Sequence, residues 1–160
     1  MTPTSDVAPL WRPARPDEDE AIVAMCLALN AEDPGEAVAA EQVRRTLAAF
    51  RAEPVRGRAL VAESDGGLIG YAFLVSFWSN EYGGEICAID ELYLAEAHRN
   101  QGIATRLFER IGVDPSLWPG RPVALELEVT PRNDRARALY ERLGFRARNL
   151  LLRRRLEPRR

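Results

Sequence analysis

The stretch that most constrains this chain is Arg99-Asn100-Gln101-Gly102-Ile103-Ala104, a short basic turn between a strand-like run and a helix. Upstream lies Ile89-Asp90-Glu91-Leu92-Tyr93-Leu94; downstream, Ile103, Leu107, Phe108 and Ile111 recur at helical spacing. The first amide N–H groups of a helix have no partner within it, and the helix dipole adds partial positive charge at that end. Gly102 removes the Cβ that would hold an anion away from those donors. Arg99 adds a charged fork suited to phosphate. The turn therefore reads as a pyrophosphate cradle.

A second segment strengthens this reading. Leu127-Glu128-Val129-Thr130-Pro131-Arg132-Asn133 is followed by Ala136-Arg137-Ala138-Leu139-Tyr140-Glu141-Arg142-Leu143-Gly144-Phe145. The first segment, R-x-x-G-x-A after Leu-Tyr-Leu, resembles the acyl-CoA-binding motif of the GNAT N-acetyltransferase superfamily. That motif has the form Q/R-x-x-G-x-G/A, which Arg99, Gly102 and Ala104 match. The second resembles the family's closing signature: a strand, an Asn, a short helix carrying a Tyr, then Gly-Phe. Together the two span residues 86–146 in the right order; the remainder fits by length and pattern.

Composition bounds the alternatives. A chain of 160 residues, 46% hydrophobic and 29% charged, suits one globular domain, expected over residues 9–157 after a loose tail at 1–8. The net charge of −2 recommends no nucleic acid as partner. All 22 basic residues are Arg, so the lysine-bearing phosphate loop of nucleotide-binding proteins is absent, as is G-x-G-x-x-G. Cys26 and Cys87 lie in apolar segments without metal-ligand spacing and read as buried free thiols. The single His98 has no second histidine with which to build a metal site and reads as a loop residue. No signal-peptide pattern and no apolar run near 18 residues is present, so a cytoplasmic protein without a membrane partner or metal is expected.

The expected fold class is α/β (α+β): a mixed, mostly antiparallel central sheet flanked by about four helices. A first edge strand at Leu10–Arg15 precedes a helix opened by Pro16-Asp17-Glu18-Asp19-Glu20, whose acids read as a solvated helix start. A second helix is expected at Ala39–Arg51. Strands follow at Arg58–Glu63 and Leu68–Phe77, joined by an Asp65-Gly66-Gly67 turn, and a third runs to Leu94. After the cradle helix come a strand within Pro122–Val129, the Tyr140 helix ending at Gly144, and a last solvated edge strand at Arg148–Leu156. The order β-α-α-β-β-β-α-β-α-β-β is the one the resemblance implies.

The resemblance also implies roles. Acetyl-CoA would be the co-substrate, its pantetheine along the backbone of Leu92, Tyr93 and Leu94. Its pyrophosphate would lie on Arg99, Asn100, Gln101, Gly102, Ile103, Ala104 and Thr105. Asn133 would bond the pantetheine arm, a role compatible with capping its helix. Tyr140, whose helical face also suits core packing, would protonate the departing thiolate. An amine acceptor arrives protonated and needs a base. Asp90, Glu91, Glu126 and Glu128 are the carboxylates on the flanking strands, with Glu91 and Glu128 ranked first. A strand N–H near Leu94 would hold the oxyanion. The acceptor pocket is expected from residues 22–50 and 76–85, with Trp78, Glu81 and Tyr82 at its mouth. The acceptor itself is unspecified, and homodimerisation is open because no segment identifies an interface. The alternative is a non-catalytic acyl-CoA-binding or interaction module.

Overall fold

The computed structural model describes residues 8–156, so nearly all of the expected tail lies outside the described residues. Strand β1 (Leu10–Pro13) leads through a 3-10 turn into α1 (Asp19–Glu32) and α2 (Ala40–Ala52). Three longer strands follow, β2 (Gly57–Ser64), β3 (Gly67–Ser79) and β4 (Gly84–Leu94), then α3 (Ile103–Ile111), β5 (Ala124–Leu127) and α4 (Asp134–Arg142). The sheet runs in the order β1-β2-β3-β4-β5, antiparallel except for the parallel pair β4–β5. The β2–β3 hairpin closes on Asp65 and Gly66 with φ of 51° and 76°, the left-handed geometry that a two-residue turn requires.

Alternation along the strands divides the core between the two faces of the sheet. Leu60, Ala62, Leu74, Cys87 and Ile89 pack with Trp11 against Ile103, Leu107, Phe108 and Ile111 of α3. Val61, Tyr71 and Phe73 face the other way, onto Ile22, Val23 and Cys26 of α1 and Val43 and Leu47 of α2. Burying each large aliphatic or aromatic side chain contributes about 1.5–3 kcal/mol. Trp11 couples β1 to the cradle helix, its indole N–H donating to the Ile103 carbonyl at 2.8 Å in the buried core.

Two expectations fail. Glu18 is not solvated: it is 7% exposed and accepts from Arg12 at 2.6 and 3.1 Å and from the Arg15 amide at 2.7 Å. The strand at Arg148–Leu156 does not form, so the described residues end without the two closing strands of the expected order. Leu-Leu-Leu-Arg-Arg-Arg at 150–155 does not alternate and has no single apolar face to lay on a sheet. The segment is held instead by side-chain pairs, Arg148 with Glu81, Arg153 with Glu128 and Arg155 with Glu36.

Candidate active site

Strands β4 and β5 separate where the site begins. Their pairing runs from Ile86–Ala124 to Ile89–Leu127 and stops, while β4 continues to Leu94 paired only with β3. Asp90 is a bulge: Phe73 pairs with Glu91 and Leu74 with Ile89, leaving Asp90 without a partner. The bulge resets the side-chain phase, so Ile89 and Leu92 reach one core and Glu91 and Tyr93 the other side. Beyond it, the β4 backbone edge facing β5 has no strand partner.

A cleft of about 1250 Å³ opens along this divergence. Of the residues expected to hold a coenzyme, Leu92, Tyr93, Leu94, Arg99, Asn100, Gly102, Ile103, Ala104, Thr105, Asn133 and Tyr140 all line it. Gln101 does not; its side chain turns back to the Ala97 carbonyl at 3.0 Å. Asn100 and Gly102 have φ of 61° and 72°, so successive amides of the turn curve into a concave nest. A Cβ on Gly102 would meet only the Arg106 guanidinium, at 3.6 Å, which leaves the turn open on the cleft side.

Arg99 is already engaged. Its Nε donates to the Leu94 carbonyl at 2.7 Å, and its Nη2 pairs with Glu32 at 2.5 Å. A diphosphate would have to share or replace Glu32. Asn133 caps α4, its Oδ1 accepting from the Ala136 amide at 3.1 Å, and its Nδ2 donates to Asp33 at 3.0 Å. Thr130 donates to the same Asp33 carboxylate at 2.8 Å. Glu32 and Asp33, neighbours at the end of α1, thus reach the two walls of the cleft. Sequence reading missed both, since their partners lie 67 and 97 residues away or more and leave no local pattern.

A smaller cavity of about 380 Å³ adjoins the cleft on the α1 side and shares Leu29, Asp33, Ile89, Asp90, Glu91, Leu127 and Glu128 with it. Glu126 lines the smaller cavity alone. Trp78 and Tyr82 line neither space, because the β3–β4 hairpin tip lies at the opposite end of β4 from the divergence. No residue of α2 lines the smaller cavity either; its walls come from α1, the 33–38 loop, β4 and β5. His98, in the 3-10 turn Glu96–His98, also faces neither space.

The carboxylates differ in setting. Glu91 Oε2 accepts from Tyr71 Oη at 2.7 Å and from Cys26 Sγ at 3.4 Å. Burial raises its pKa, the two donors oppose that, and the neighbouring Asp90 charge adds to it. Asp90 is reached by solvent within the concave cleft, yet the surrounding protein still raises its carboxyl, with Arg153 opposing. Burial pushes the Cys26 thiol to about 11 and raises the Tyr71 phenol, so both remain donors near neutrality. Glu128 is exposed and paired with Arg153 at 3.4 Å. On the opposite wall, the Tyr140 ring packs edge-on against Phe108 and Phe145. Its hydroxyl has no hydrogen-bond partner among the described residues, and its pKa is raised by burial and by Asp33.

Among the described residues no group of side chains suited to a metal is found, and no helix is long and apolar enough to cross a membrane. No curated protein matches the sequence. Solved structures similar in fold include a possible acetyltransferase from Clostridium difficile 630, with a TM-score of 0.76 and 20% identity over 96% of this chain and 100% of that one. A ribosomal-protein-alanine N-acetyltransferase from Brucella melitensis biovar Abortus 2308 matches at 0.72 and 19%, over 93% and 100%. An aminoglycoside acetyltransferase from an uncultured soil metagenomic sample matches at 0.65 and 23%, over 94% and 100%. The model of the acetyltransferase (GNAT) family matches residues 22–145, well over half of the sequence, and the chain belongs to that family.

Proposed function

We propose that the protein is an acetyl-CoA-dependent N-acetyltransferase that acylates a primary amine by direct attack in a ternary complex. The observation that carries this reading is the end of β4–β5 pairing at Ile89–Leu127, directly beside the nest at 100–105. That divergence supplies an unpaired backbone edge for an extended amide-bearing arm, and the nest supplies amide donors for its diphosphate. Tyr140 lines the same cleft, and in this reading its hydroxyl gives a proton to a departing thiolate of ordinary pKa about 8.5. Glu91 borders both spaces and, with its raised pKa, serves as base for an ammonium entering from the smaller cavity. A β4 amide near Leu94 would face the developing oxyanion. Holding two reactants in one groove supplies most of the rate.

The test is calorimetric titration with acetyl-CoA and CoA of the wild type and Gly102→Glu, with folding checked by circular dichroism. The expected result is micromolar binding that the folded variant loses, followed by amine-dependent thiol release. A folded wild type that binds neither would overturn the reading.

A further inference from the structure

The smaller cavity is walled by Asp33, Glu36, Asp90, Glu91, Glu126 and Glu128, and a single cation, Arg153, reaches into it. Arg153 is not part of the core: it belongs to the irregular C-terminal segment and touches the cavity through Glu128 at 3.4 Å. Two residues on, Arg155 lies 3.8 Å from Glu36, a second wall residue. The chain has thus laid its own guanidinium groups over an acid-lined space that adjoins the coenzyme cleft.

Both contacts are weak. The paired side chains are 67% and 63% exposed in one case and 79% and 72% in the other, a setting in which an ion pair is worth about 0–1 kcal/mol. Upstream, Arg148 ties the segment to Glu81 and Tyr82, but beyond it Leu150, Leu152 and Leu156 are each more than three-quarters exposed. A cation offered from solution can therefore compete for the same carboxylates. A neutral or anionic group would find nothing to replace it on Glu128.

We infer that Arg153 is a displaceable internal occupant of the acceptor cavity, and that the acceptor is a compound with two cationic groups. One is the amine presented to Glu91 at the mouth of the coenzyme cleft; the other replaces the Arg153 guanidinium on Glu128. This rests on the acyl-transfer reading only for the fate of the first amine; binding of the dication does not depend on it. Arg153 then sets specificity by exclusion. A monoamine satisfies Glu91 alone and leaves the arginine in place, while a diamine exchanges with it.

The experiment uses the full chain and two probes, 1,4-diaminobutane and butylamine, titrated by calorimetry into wild type, Arg153→Ala and Arg154→Ala, with acetyl-CoA titrated in parallel. Arg154 lines neither space, so its removal makes the same change in net charge without emptying the cavity. The expected result is that the diamine binds wild type more tightly than the monoamine. Arg153→Ala should tighten diamine binding about two- to fivefold with little change for butylamine, and Arg154→Ala should change neither. Equal gains in the two variants would overturn the proposal, because only net charge would then be at work. Weaker diamine binding in Arg153→Ala would also overturn it, by making the arginine a ligand rather than a competitor. If acetyl-CoA fails to bind while this amine pattern holds, the acyl-transfer reading falls and the cavity assignment stands; the reverse pattern removes the cavity assignment alone.

Discussion

Tyr71 and Glu91 sit diagonally across the β3–β4 pair, and the phenol hydroxyl donates to Glu91 Oε2 at 2.7 Å. Cys26 shares that oxygen, so both bonds fall on Oε2, and Oε1 has no hydrogen-bond partner among the described residues. The arrangement fixes the carboxylate's orientation while burial raises its pKa. A charge held against burial should cost stability. Glu91 has a folded-state pKa above its unfolded value, so its contribution is fully present below the ordinary carboxylate range. That contribution is lost as pH rises through the raised value. Glu91→Gln keeps an acceptor for Tyr71 and removes the charge. It should be at least as stable as wild type at pH 8 by denaturant melts, yet lose about 10²–10⁴-fold in turnover. Unchanged turnover would assign the base elsewhere, with Asp90 and Glu128 next.

Tyr71→Phe addresses the same pair from the other side. Without the phenol donor, burial acts on Glu91 with less opposition and the carboxyl titrates at higher pH. The acid limb of kcat/KM should move upward, with the alkaline limb unchanged. A fixed acid limb would show that Glu91 is not the group that must lose its proton.

Glu32 and Arg99 form a contact that a diphosphate must disturb, since the pair lies at the edge of the nest. Glu32→Gln removes a competing anion and should tighten CoA binding about two- to fivefold, whereas Arg99→Ala should weaken it about tenfold. Calorimetry separates these by their opposite signs, and both effects should shrink at raised salt because each is a charge–charge interaction. Equal affinities in all three proteins would place the diphosphate on backbone amides alone.

How much of this was legible beforehand depends on range. The turn and the helix it opens were legible because their parts are adjacent: a strand, Gly102, Arg99 and the apolar stripe of α3 lie within two dozen residues. The bulge was half legible, since strict alternation puts Asp90 on the face of Leu92 and Leu94 unless a bulge resets the phase. The clamp by Glu32 and Asp33 was not, because nothing near residue 33 announces Thr130 or Asn133. The failed last strand has the opposite lesson. Length and family order favoured it, but three leucines in a row followed by three arginines give a strand no inner face. The aromatic mouth failed for a topological reason: nearness of Trp78 to β4 in sequence puts it at the wrong end of that strand.

Tyr140→Phe isolates the proposed acid. Because the hydroxyl has no hydrogen-bond partner among the described residues while the ring packs on Phe108 and Phe145, the substitution should leave thermal stability nearly unchanged. Turnover should fall about 10²–10⁴-fold with CoA affinity retained. Unchanged kcat would remove Tyr140 from the mechanism and leave it a core aromatic.

Glu18 gives a prediction independent of catalysis. It is buried beneath Arg12, which also bonds Glu63 at 2.7 Å, and it caps the turn at Arg15 through the 2.7 Å amide bond. The Arg12 hydrogen bonds hold its pKa below the usual carboxylate range against the opposing effect of burial. A depressed folded-state pKa means the stabilisation is present above the unfolded value and is lost as pH falls through the folded one. Glu18→Gln should therefore cost about 1–3 kcal/mol near neutrality, by urea melts, and the difference from wild type should shrink as the pH is lowered below 4. Arg12 retains Glu63 in that variant, so the loss is smaller than for a fully orphaned charge. A pH-independent difference would mean that Glu18 acts through packing, and that the Arg12 pair is no more than a surface contact.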